Sequence, residues 1–486
     1  MINMSSKITT SSFVKQNLFG YLAEASGFVS NLIFNIALPI FLGAAVFGQL
    51  SITLGFAYFL IGLVSTGFNN TMVRLVSKSY AEKKYSEMKN TVFYLFELKL
   101  LIASLFSIAL FFSANWLSSA YSVPVLGIQI ASFLIIFSSI FTFFVSFFTA
   151  IQKNQVSLAA TFLNSFFLII LPLLFFFNGF RINGIIFSVV LAYFIAVVFI
   201  SIFAFKELKK IKAKTRKEVK KPVLTNVLGF SIISLSNIFL NWGVLLVLGL
   251  FASSTEVAFF KISLSWILAV LTVVPISYGV VFSSFVNLKL TDSKKFKVYV
   301  EKVLKYGFIF IVPAVFGLFL LGGKMIKLVY GSTYTGAALP LSILSFSLIP
   351  LFANKILFSV LVSSNKLRKT TKIYSAMTIT GIVLTFLLSF FFGLKGGAVS
   401  FVLINYMLML LMFNSTKVLE NLTRQLLKPA VASIIMSLFI LSRVIKANSL
   451  INGLVLIASS ALLYFIALFL IKGLTKEDLK LIEKLK

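Results

Sequence analysis

The chain has 486 residues, of which 59% are hydrophobic and 12% are charged, and its formal net charge at pH 7 is +31. This composition excludes an ordinary soluble domain and indicates a membrane protein with many spans. The chain contains no Cys and no His, which excludes disulfides, thiol nucleophiles and His-ligated metal ions.

Fourteen apolar stretches approach or exceed the roughly 20 residues that a helix needs to cross a bilayer. In chain order they are predicted at Phe19–Leu42, Phe47–Phe68, Leu98–Leu117, Val125–Phe148, Val156–Phe177, Gly184–Phe205, Val223–Phe251, Val257–Leu288, Tyr306–Gly322, Ala338–Val362, Ile373–Phe392, Gly397–Leu419, Pro429–Ile445 and Leu450–Ile471. The sequence therefore predicts an all-α polytopic membrane protein with fourteen transmembrane helices. Pro275 is expected to interrupt the long eighth span, because proline removes a helical hydrogen bond.

Lys and Arg lie mainly in every second gap between these spans. The positive-inside rule then predicts a protein of the inner membrane with both termini in the cytoplasm. Met1 to Ser12 is polar, so we expect no cleavable signal peptide. The lysines and arginines in these gaps can bind anionic membrane lipids, and we favour such lipids over nucleic acid as partners.

A short repeat divides the chain. Ser30 to Asn35 (SNLIFN) recurs 206 positions later as Ser236 to Asn241 (SNIFLN). An offset of six spans gives both copies the same orientation, which predicts two lobes related by an axis along the membrane normal. The predicted domains are an N-lobe at 1–205, a basic cytoplasmic linker at 206–222, a C-lobe at 223–420, and a C-terminal helix pair with a cytoplasmic tail at 421–486.

The repeat places two amides on one helix face in each lobe, Asn31 with Asn35 and Asn237 with Asn241. An amide facing lipid would lose its hydrogen bonds, so both stripes are expected to face the protein interior. Two interpretations stay open. The amides either line a cavity shared by the lobes or join neighbouring helices.

Charged side chains inside spans are the next candidates for a site. Lys261 and Lys355 are candidate contacts for an anionic substrate, with snorkelling to the membrane surface as the alternative. Arg74, at the cytoplasmic end of span two, is either a further substrate contact or a membrane anchor. Glu97 and Lys99 are predicted to be interfacial.

Aromatic side chains offer a further candidate role. Tyr58, Trp242 and Trp266 could stack on a sugar, with ordinary packing as the alternative.

Six short motifs follow one another along the chain: Leu38 to Gly43, Phe47 to Leu50, Asn69 to Arg74, Tyr330 to Tyr334, Ser363 to Lys366 and Leu474 to Leu479. In their order and spacing they resemble the motifs of the Wzx-type polysaccharide flippases. This family belongs to the multidrug/oligosaccharidyl-lipid/polysaccharide exporter (MOP) superfamily. The resemblance implies two six-helix lobes around a central cavity.

The resemblance also implies a function. The protein would flip a polyprenyl-(pyro)phosphate-linked oligosaccharide from the cytoplasmic to the outer leaflet by alternating access, for the synthesis of a cell-surface glycan. Implied partners are this lipid, H⁺ or Na⁺ as a driving ion, and a polysaccharide polymerase or glycosyltransferases. Glu24 in the first span is the ion-coupling candidate, because drug-exporting relatives use an acidic residue in their first helix; the alternative is a single Glu paired with a neighbouring hydrogen-bond donor.

No catalytic residue, metal or cofactor is expected, and the protein is expected not to be an enzyme. One alternative is a MATE-like multidrug or organic-cation antiporter, which would favour acidic side chains in its cavity. Another is a membrane glycosyltransferase or polysaccharide polymerase, which would need catalytic carboxylates or a large outer loop. The Arg-rich first helix of lipid II flippases is missing, which argues against a peptidoglycan precursor as cargo.

Overall fold

The computed structural model describes residues 10–210, 223–224, 226–227, 231, 235, 237–276, 278–364, 366–416, 422–442 and 449–473. Every regular element in these ranges is helical. Ten helices are long and apolar enough to cross a membrane, or eleven if the bent pair at 332–345 and 348–363 is one span. The predicted all-α polytopic membrane fold is therefore confirmed, whereas the count of fourteen spans is not.

The chain divides into two compact units, Met1–Leu250 and Phe251–Lys486. A π-helical turn, Phe239–Gly243, leads into the last helix of the first unit. The helices of this unit are α1 (Thr10–Leu42), α2 (Ala44–Ala81), α3 (Tyr85–Phe112), α4 (Ala114–Tyr121), α5 (Val125–Ala150), α6 (Asn154–Phe177), α7 (Ile182–Lys209) and α8 (Val244–Gly249).

Helix α5 lies at the centre of the first unit, where α2, α3 and α7 pack along it, while α6 packs against α1 and α7. Its phenylalanines Phe143, Phe144, Phe147 and Phe148 are buried in one apolar cluster. A helix that is apolar on all sides suits this central position. Only Gly43 separates α1 from α2, and its φ of +76° lies in the region that favours glycine.

The second unit contains a 3₁₀ turn, Ser332–Ala337, and eight helices. These are α9 (Ser254–Val273), α10 (Tyr278–Thr291), α11 (Ser293–Tyr330), α12 (Ala338–Ser345), α13 (Leu348–Ser363), α14 (Leu367–Thr416), α15 (Leu422–Leu441) and α16 (Leu450–Leu470).

Breaks in the second unit follow particular residues. Pro275 lies between α9 and α10, which confirms the predicted interruption of span eight. Gly393, with φ +51°, bends α14 where spans eleven and twelve were predicted to meet. Asp292 caps α11 by accepting hydrogen bonds from the backbone N–H groups of Lys294 and Lys295, both at 3.0 Å. The bond from Lys295 is the main cause that lowers the pKa of Asp292.

The C-terminal helices pack on α11. Helix α15 lies along α11, and α16 contacts both. The hydroxyl of Tyr464, which is 1% exposed, donates to the carbonyl oxygen of Ile309 at 2.7 Å. This bond ties α16 to α11 through a group that has no water to replace it in a membrane.

Some of the predictions fall outside the described residues. These are the linker from residue 211 to 222, Ser236 of the repeat, Asn365, the tail from Leu474 and the side chain of Glu24, whose backbone belongs to α1. The described residues between 223 and 249 belong to the first unit, and the assignment of span seven to a second lobe stays a prediction, as do the domain boundaries. The cytoplasmic location of the termini also stays a prediction.

Candidate functional site

Asn31 and Asn35 form a hydrogen-bonded pair on α1, as their spacing of four residues suggests. The amide Nδ2 of Asn35 donates to the carbonyl oxygen and to Oδ1 of Asn31, both at 2.7 Å. Asn35 is 4% exposed, whereas Asn31 is exposed. The pair therefore satisfies the buried amide within α1 and leaves its outer member accessible.

The second asparagine pair repeats this geometry. Nδ2 of Asn241 donates to the carbonyl oxygen of Asn237 at 2.8 Å, and both side chains are exposed. Asn241 belongs to the π-helical turn Phe239–Gly243. Such turns occur frequently at functional sites, because the extra residue displaces the side chains that follow it. The repeat in the sequence thus corresponds to a repeated hydrogen bond in the structure.

Helix α2 packs closely on the described residues between 223 and 249, and we call this packing the α2 contact. Three glycines face it. A Cβ added to Gly55 would lie 3.3 Å from a methyl group of Leu246, one added to Gly62 would lie 2.6 Å from Cγ1 of Ile238, and one added to Gly67 would lie 2.8 Å from the carbonyl oxygen of Val227.

The α2 contact also includes the predicted site residue Arg74. Its Nη1 donates to Oδ1 of Asn226 at 3.0 Å. The structure therefore gives Arg74 a partner within the first unit, although the side chain remains exposed.

Two of the three aromatic candidates meet at the α2 contact. The rings of Tyr58 and Trp242 stack with centroids 5.0 Å apart and planes inclined by 22°. The hydroxyl of Tyr58 lies beside that of Tyr193, whose polar neighbours include Asn164 and Ser138. The stack therefore adjoins a group of buried polar side chains.

The third aromatic candidate, Trp266, lies in the second unit. Its Nε1 donates to the hydroxyl of Tyr330 at 3.3 Å. Through this hydrogen bond Trp266 joins α9 to α11 within the second unit.

Lys99, which was predicted to be interfacial, is buried inside the first unit. Helix α3 begins at Tyr85, not near Leu98, so Lys99 lies fourteen residues into the helix, about 21 Å along it. Lys99 is 2% exposed, and its Nζ donates to Oδ1 of Asn69 at 2.8 Å and to Oγ1 of Thr142 at 3.1 Å. Sequence reasoning missed this site because the polar start of α3 concealed the true beginning of the helix.

The two lysines predicted to contact substrate lie on different helices of the second unit. Lys261 is partly buried on α9. Lys355 is exposed on α13, with its Nζ 4.8 Å from the ring centroid of Tyr278. This cation–π contact holds the ammonium beside an aromatic face. Substrate binding by either lysine stays a prediction.

A polar pair that sequence reasoning missed lies nearby. Nδ2 of Asn354 donates to the carbonyl oxygen of Asn405 at 3.1 Å, and both side chains are buried. Each Oδ1 is buried without a hydrogen-bond partner. In the sequence, this pair was marked only by one asparagine in each of two apolar spans. Neither asparagine belongs to the repeat that singled out Asn31 and Asn237.

The described residues contain no group of three or more Asp, Glu, His or Cys side chains that could hold a metal ion.

Comparison with known proteins gives a family and a fold. Residues 38–339 match the family model described as "Polysaccharide biosynthesis protein". No curated protein matches the chain.

Several solved structures are similar. The lipid II flippase MurJ in an inward closed conformation is 17% identical, with a TM-score of 0.76 over 93% of this chain and 98% of that one. An inward-facing multidrug resistance MATE family transporter of the MOP superfamily is 15% identical, with a TM-score of 0.66 over 82% and 95%. A MOP superfamily transporter from Pyrococcus furiosus Vc1 is 15% identical, with a TM-score of 0.55 over 84% and 94%. At these identities the likeness is one of fold.

Proposed function

Because the chain belongs to the polysaccharide biosynthesis protein family and has the fold of MOP-superfamily transporters, we propose that it is a lipid-linked oligosaccharide flippase. It moves a polyprenyl-(pyro)phosphate-linked oligosaccharide from the cytoplasmic to the outer leaflet by alternating access. The polar sugar and the phosphate cannot cross hydrocarbon cheaply, whereas the polyprenyl chain can stay in lipid. The protein therefore has to supply polar and cationic groups to the head of the cargo.

The observation that carries this proposal is the sign of the charges inside the long apolar helices. Lys261 on α9 and Lys355 on α13 are cationic. Among the described acidic groups, Glu97 is exposed on α3 two residues before Lys99, whereas Glu207 and Glu256 are occupied at helix ends. Glu207 pairs with Lys153 at 2.7 Å and with Lys210, and Glu256 closes a capping box with the N-cap of α9. An anionic pyrophosphate fits this distribution better than a cationic drug does.

The α2 contact supports the alternating part of the proposal. Glycines let α2 approach residues 223–249 without intervening side chains, and such close contacts are discrete: they are either made or broken. The Arg74–Asn226 hydrogen bond lies at the same contact. We assign this contact the role of a gate that closes in one state of the transport cycle and separates in another.

The Tyr58–Trp242 stack supports a sugar-binding role. Aromatic faces bind the apolar faces of sugars, while nearby hydroxyl and amide groups bind sugar hydroxyls. Tyr193 and Asn164 supply such groups beside the stack. In this proposal, the stack and the exposed members of the asparagine pairs contact the glycan.

An apolar cavity in the second unit supports binding of the polyprenyl chain. Its volume is about 310 Å³, at the lower end of the range for small-molecule sites. The residues that line it come from α11, from α15 and from the turn between α12 and α13: Val315, Phe316, Phe319, Leu320, Phe346, Ile434, Ser437, Leu438 and Leu441. Filling the cavity with Ser437→Trp should slow transfer of cargo with a long polyprenyl chain more than cargo with a short one.

A second candidate function is a multidrug or organic-cation antiporter, which the similarity to MATE transporters favours. The two functions differ in the charge of the cargo. An antiporter of this kind would move cations against H⁺ or Na⁺, and acidic side chains would bind them.

Proteoliposomes test the proposal. A short-chain polyprenyl-pyrophosphate oligosaccharide with a fluorescent sugar is added to the inner leaflet, and its arrival outside is followed by a membrane-impermeant quencher. Transfer should exceed that in protein-free vesicles, and Lys261→Gln with Lys355→Gln should slow it. The matched control is Lys324→Gln, which removes a lysine near the C-terminal end of α11 that is not assigned to the cargo. Transfer no faster than in protein-free vesicles, together with export of an organic cation, would favour the antiporter.

A further inference from the structure

The side chain of Lys99 donates to two neutral acceptors inside the first unit. It is 2% exposed, and its Nζ donates to Oδ1 of Asn69 at 2.8 Å and to Oγ1 of Thr142 at 3.1 Å. An ammonium has three N–H donors, whereas a neutral amine has two. The two hydrogen bonds therefore satisfy every donor of the amine, and they leave one N–H of the ammonium without an oxygen acceptor among the described residues.

The surroundings of Lys99 hold no permanent counter-ion among the described residues. Helix α5 contains no ionisable side chain, and its Phe143 has a ring centroid 5.8 Å from Nζ, where a ring face attracts a cation. On α3, Glu97 is exposed and points to a different side of the helix. On α2, Arg74 is hydrogen-bonded to Asn226. Both the neutral and the protonated form of Lys99 thus have a favourable contact, and no carboxylate fixes the charge.

Asn69 connects Lys99 to the α2 contact. Asn69 follows Gly62 by seven residues, so the two lie on the same face of α2, the face on which Gly62 closely approaches Ile238. Asn69 and Thr142 are partly exposed, although Lys99 itself is buried. Separation of the α2 contact therefore brings water to the acceptors of Lys99 first and to its Nζ next.

We propose that Lys99 is a proton-binding site of the transport cycle, neutral while the α2 contact is closed and protonated when the contact separates. The inference rests on the gate that the proposed function assigns to this contact. In the closed contact, the two hydrogen bonds match the amine. In the separated contact, water donates a proton to Nζ and also accepts a hydrogen bond from the third N–H of the ammonium. The proton returns to water before the contact closes again.

The coupling between the proton and the contact works in both directions. If separation favours the protonated form of Lys99, protonation must favour separation by the same factor. The ion bound here is H⁺ and not Na⁺, because the ammonium repels a metal cation and no described carboxylate faces the site. Lys99 therefore acts as the residue through which a proton gradient drives the gate.

Nitrogen NMR reads the protonation state of Lys99 without any cargo. The full-length protein in nanodiscs is labelled with nitrogen-15 at lysine Nζ, since an amine and an ammonium give separate signals. The signal that disappears in Lys99→Arg, which keeps a long donor side chain, belongs to Lys99. At pH 7 it should have the amine position in the wild-type protein. Gly67→Ala, whose added Cβ would lie 2.8 Å from the carbonyl oxygen of Val227, should move intensity to the ammonium position.

Gly317→Ala supplies the matched control for this measurement. A Cβ added there meets nothing within 4 Å, so Lys99 should keep its amine signal. An ammonium signal for Lys99 in the wild-type protein would overturn the proposal. Equal signals in the wild-type and Gly67→Ala proteins would also overturn it. A protein that transfers no polyprenyl lipid but shows the expected change of signal would contradict the proposed function alone.

A pH gradient across proteoliposomes tests the coupling to transport. With one proton exchanged for each cargo molecule, a gradient of one pH unit should change the final ratio of cargo between the leaflets by roughly tenfold. Lys99→Met, which keeps the length of the side chain and removes the nitrogen, should abolish this change. Lys305→Met, at the position that the 206-residue repeat relates to Lys99, should preserve it. A response to the gradient that persists in Lys99→Met would overturn the proposal.

Discussion

Gly67→Ala is expected to weaken the α2 contact because the new methyl group has no room. Its Cβ would lie 2.8 Å from the carbonyl oxygen of Val227, a backbone atom that cannot rotate away, and it would also meet the side chain of Ser231. Overpacking of this kind costs about 1–3 kcal/mol. The change also adds helix propensity, worth up to about 1 kcal/mol in every state that keeps α2 helical.

Gly317→Ala supplies the matched control. Gly317 lies within α11, and a Cβ added there meets nothing within 4 Å. It carries the same gain in helix propensity without the clash, so the comparison isolates the overpacking at α2. A difference of 1–3 kcal/mol shifts the equilibrium between closed and open contact by roughly 5- to 150-fold. Gly55→Ala should behave like the control, because its nearest neighbour, 3.3 Å away, is a flexible leucine methyl group.

Labelling of a single cysteine measures the shift. The chain contains no Cys, so Asn226→Cys can be introduced without removing any native thiol. The rate of reaction with a membrane-impermeant maleimide is then compared in the Asn226→Cys, Asn226→Cys/Gly67→Ala and Asn226→Cys/Gly317→Ala proteins. Faster labelling is expected with Gly67→Ala only, while total labelling in denaturant stays equal. Equal native rates with both alanines would refute the reasoning that α2 and residues 223–249 form a separable contact.

Two further predictions concern the cargo. The double variant Asn31→Leu/Asn237→Leu should reduce transfer roughly tenfold at unchanged Tm, as expected for loss of about one hydrogen bond to cargo. A lower Tm with normal transfer by the folded fraction would instead assign these amides to helix packing. Cargo should change the tryptophan fluorescence of the wild-type protein, and Trp242→Phe should abolish the change while Trp116→Phe, on α4, preserves it. An unchanged response in Trp242→Phe would remove the stack from the sugar site.

The sequence predicted the membrane fold well, because apolar length and charge alternation are direct consequences of the bilayer. Pro275 marked a real break for a local reason, the loss of a backbone donor. The predicted spans shortened α3 and α11, however, since both helices continue through polar residues before they become apolar. Hydropathy finds the part of a helix that lies in lipid, not the point where the helix begins.

The site was predicted less completely. The repeat identified Asn31, Asn35, Asn237 and Asn241, and the structure gives both pairs the same type of hydrogen bond. Lys99 was missed because its environment depends on the three-dimensional packing of α2, α3 and α5.

The sequence also lacked the information that brings Tyr58 to Trp242 and Arg74 to Asn226. These pairs are separated by 184 and 152 residues and share no local pattern. Only the packing of α2 on residues 223–249 places them together.

Transfer of cargo that differs only in charge tests the central claim most directly. Proteoliposomes receive one polyprenyl oligosaccharide linked through pyrophosphate and a second linked through an uncharged group, and the appearance of each in the opposite leaflet is timed. The account predicts rapid, protein-dependent transfer of the pyrophosphate-linked lipid and transfer of the uncharged lipid close to the protein-free rate. Equal transfer of both lipids, or transfer of neither by a folded protein, would contradict it.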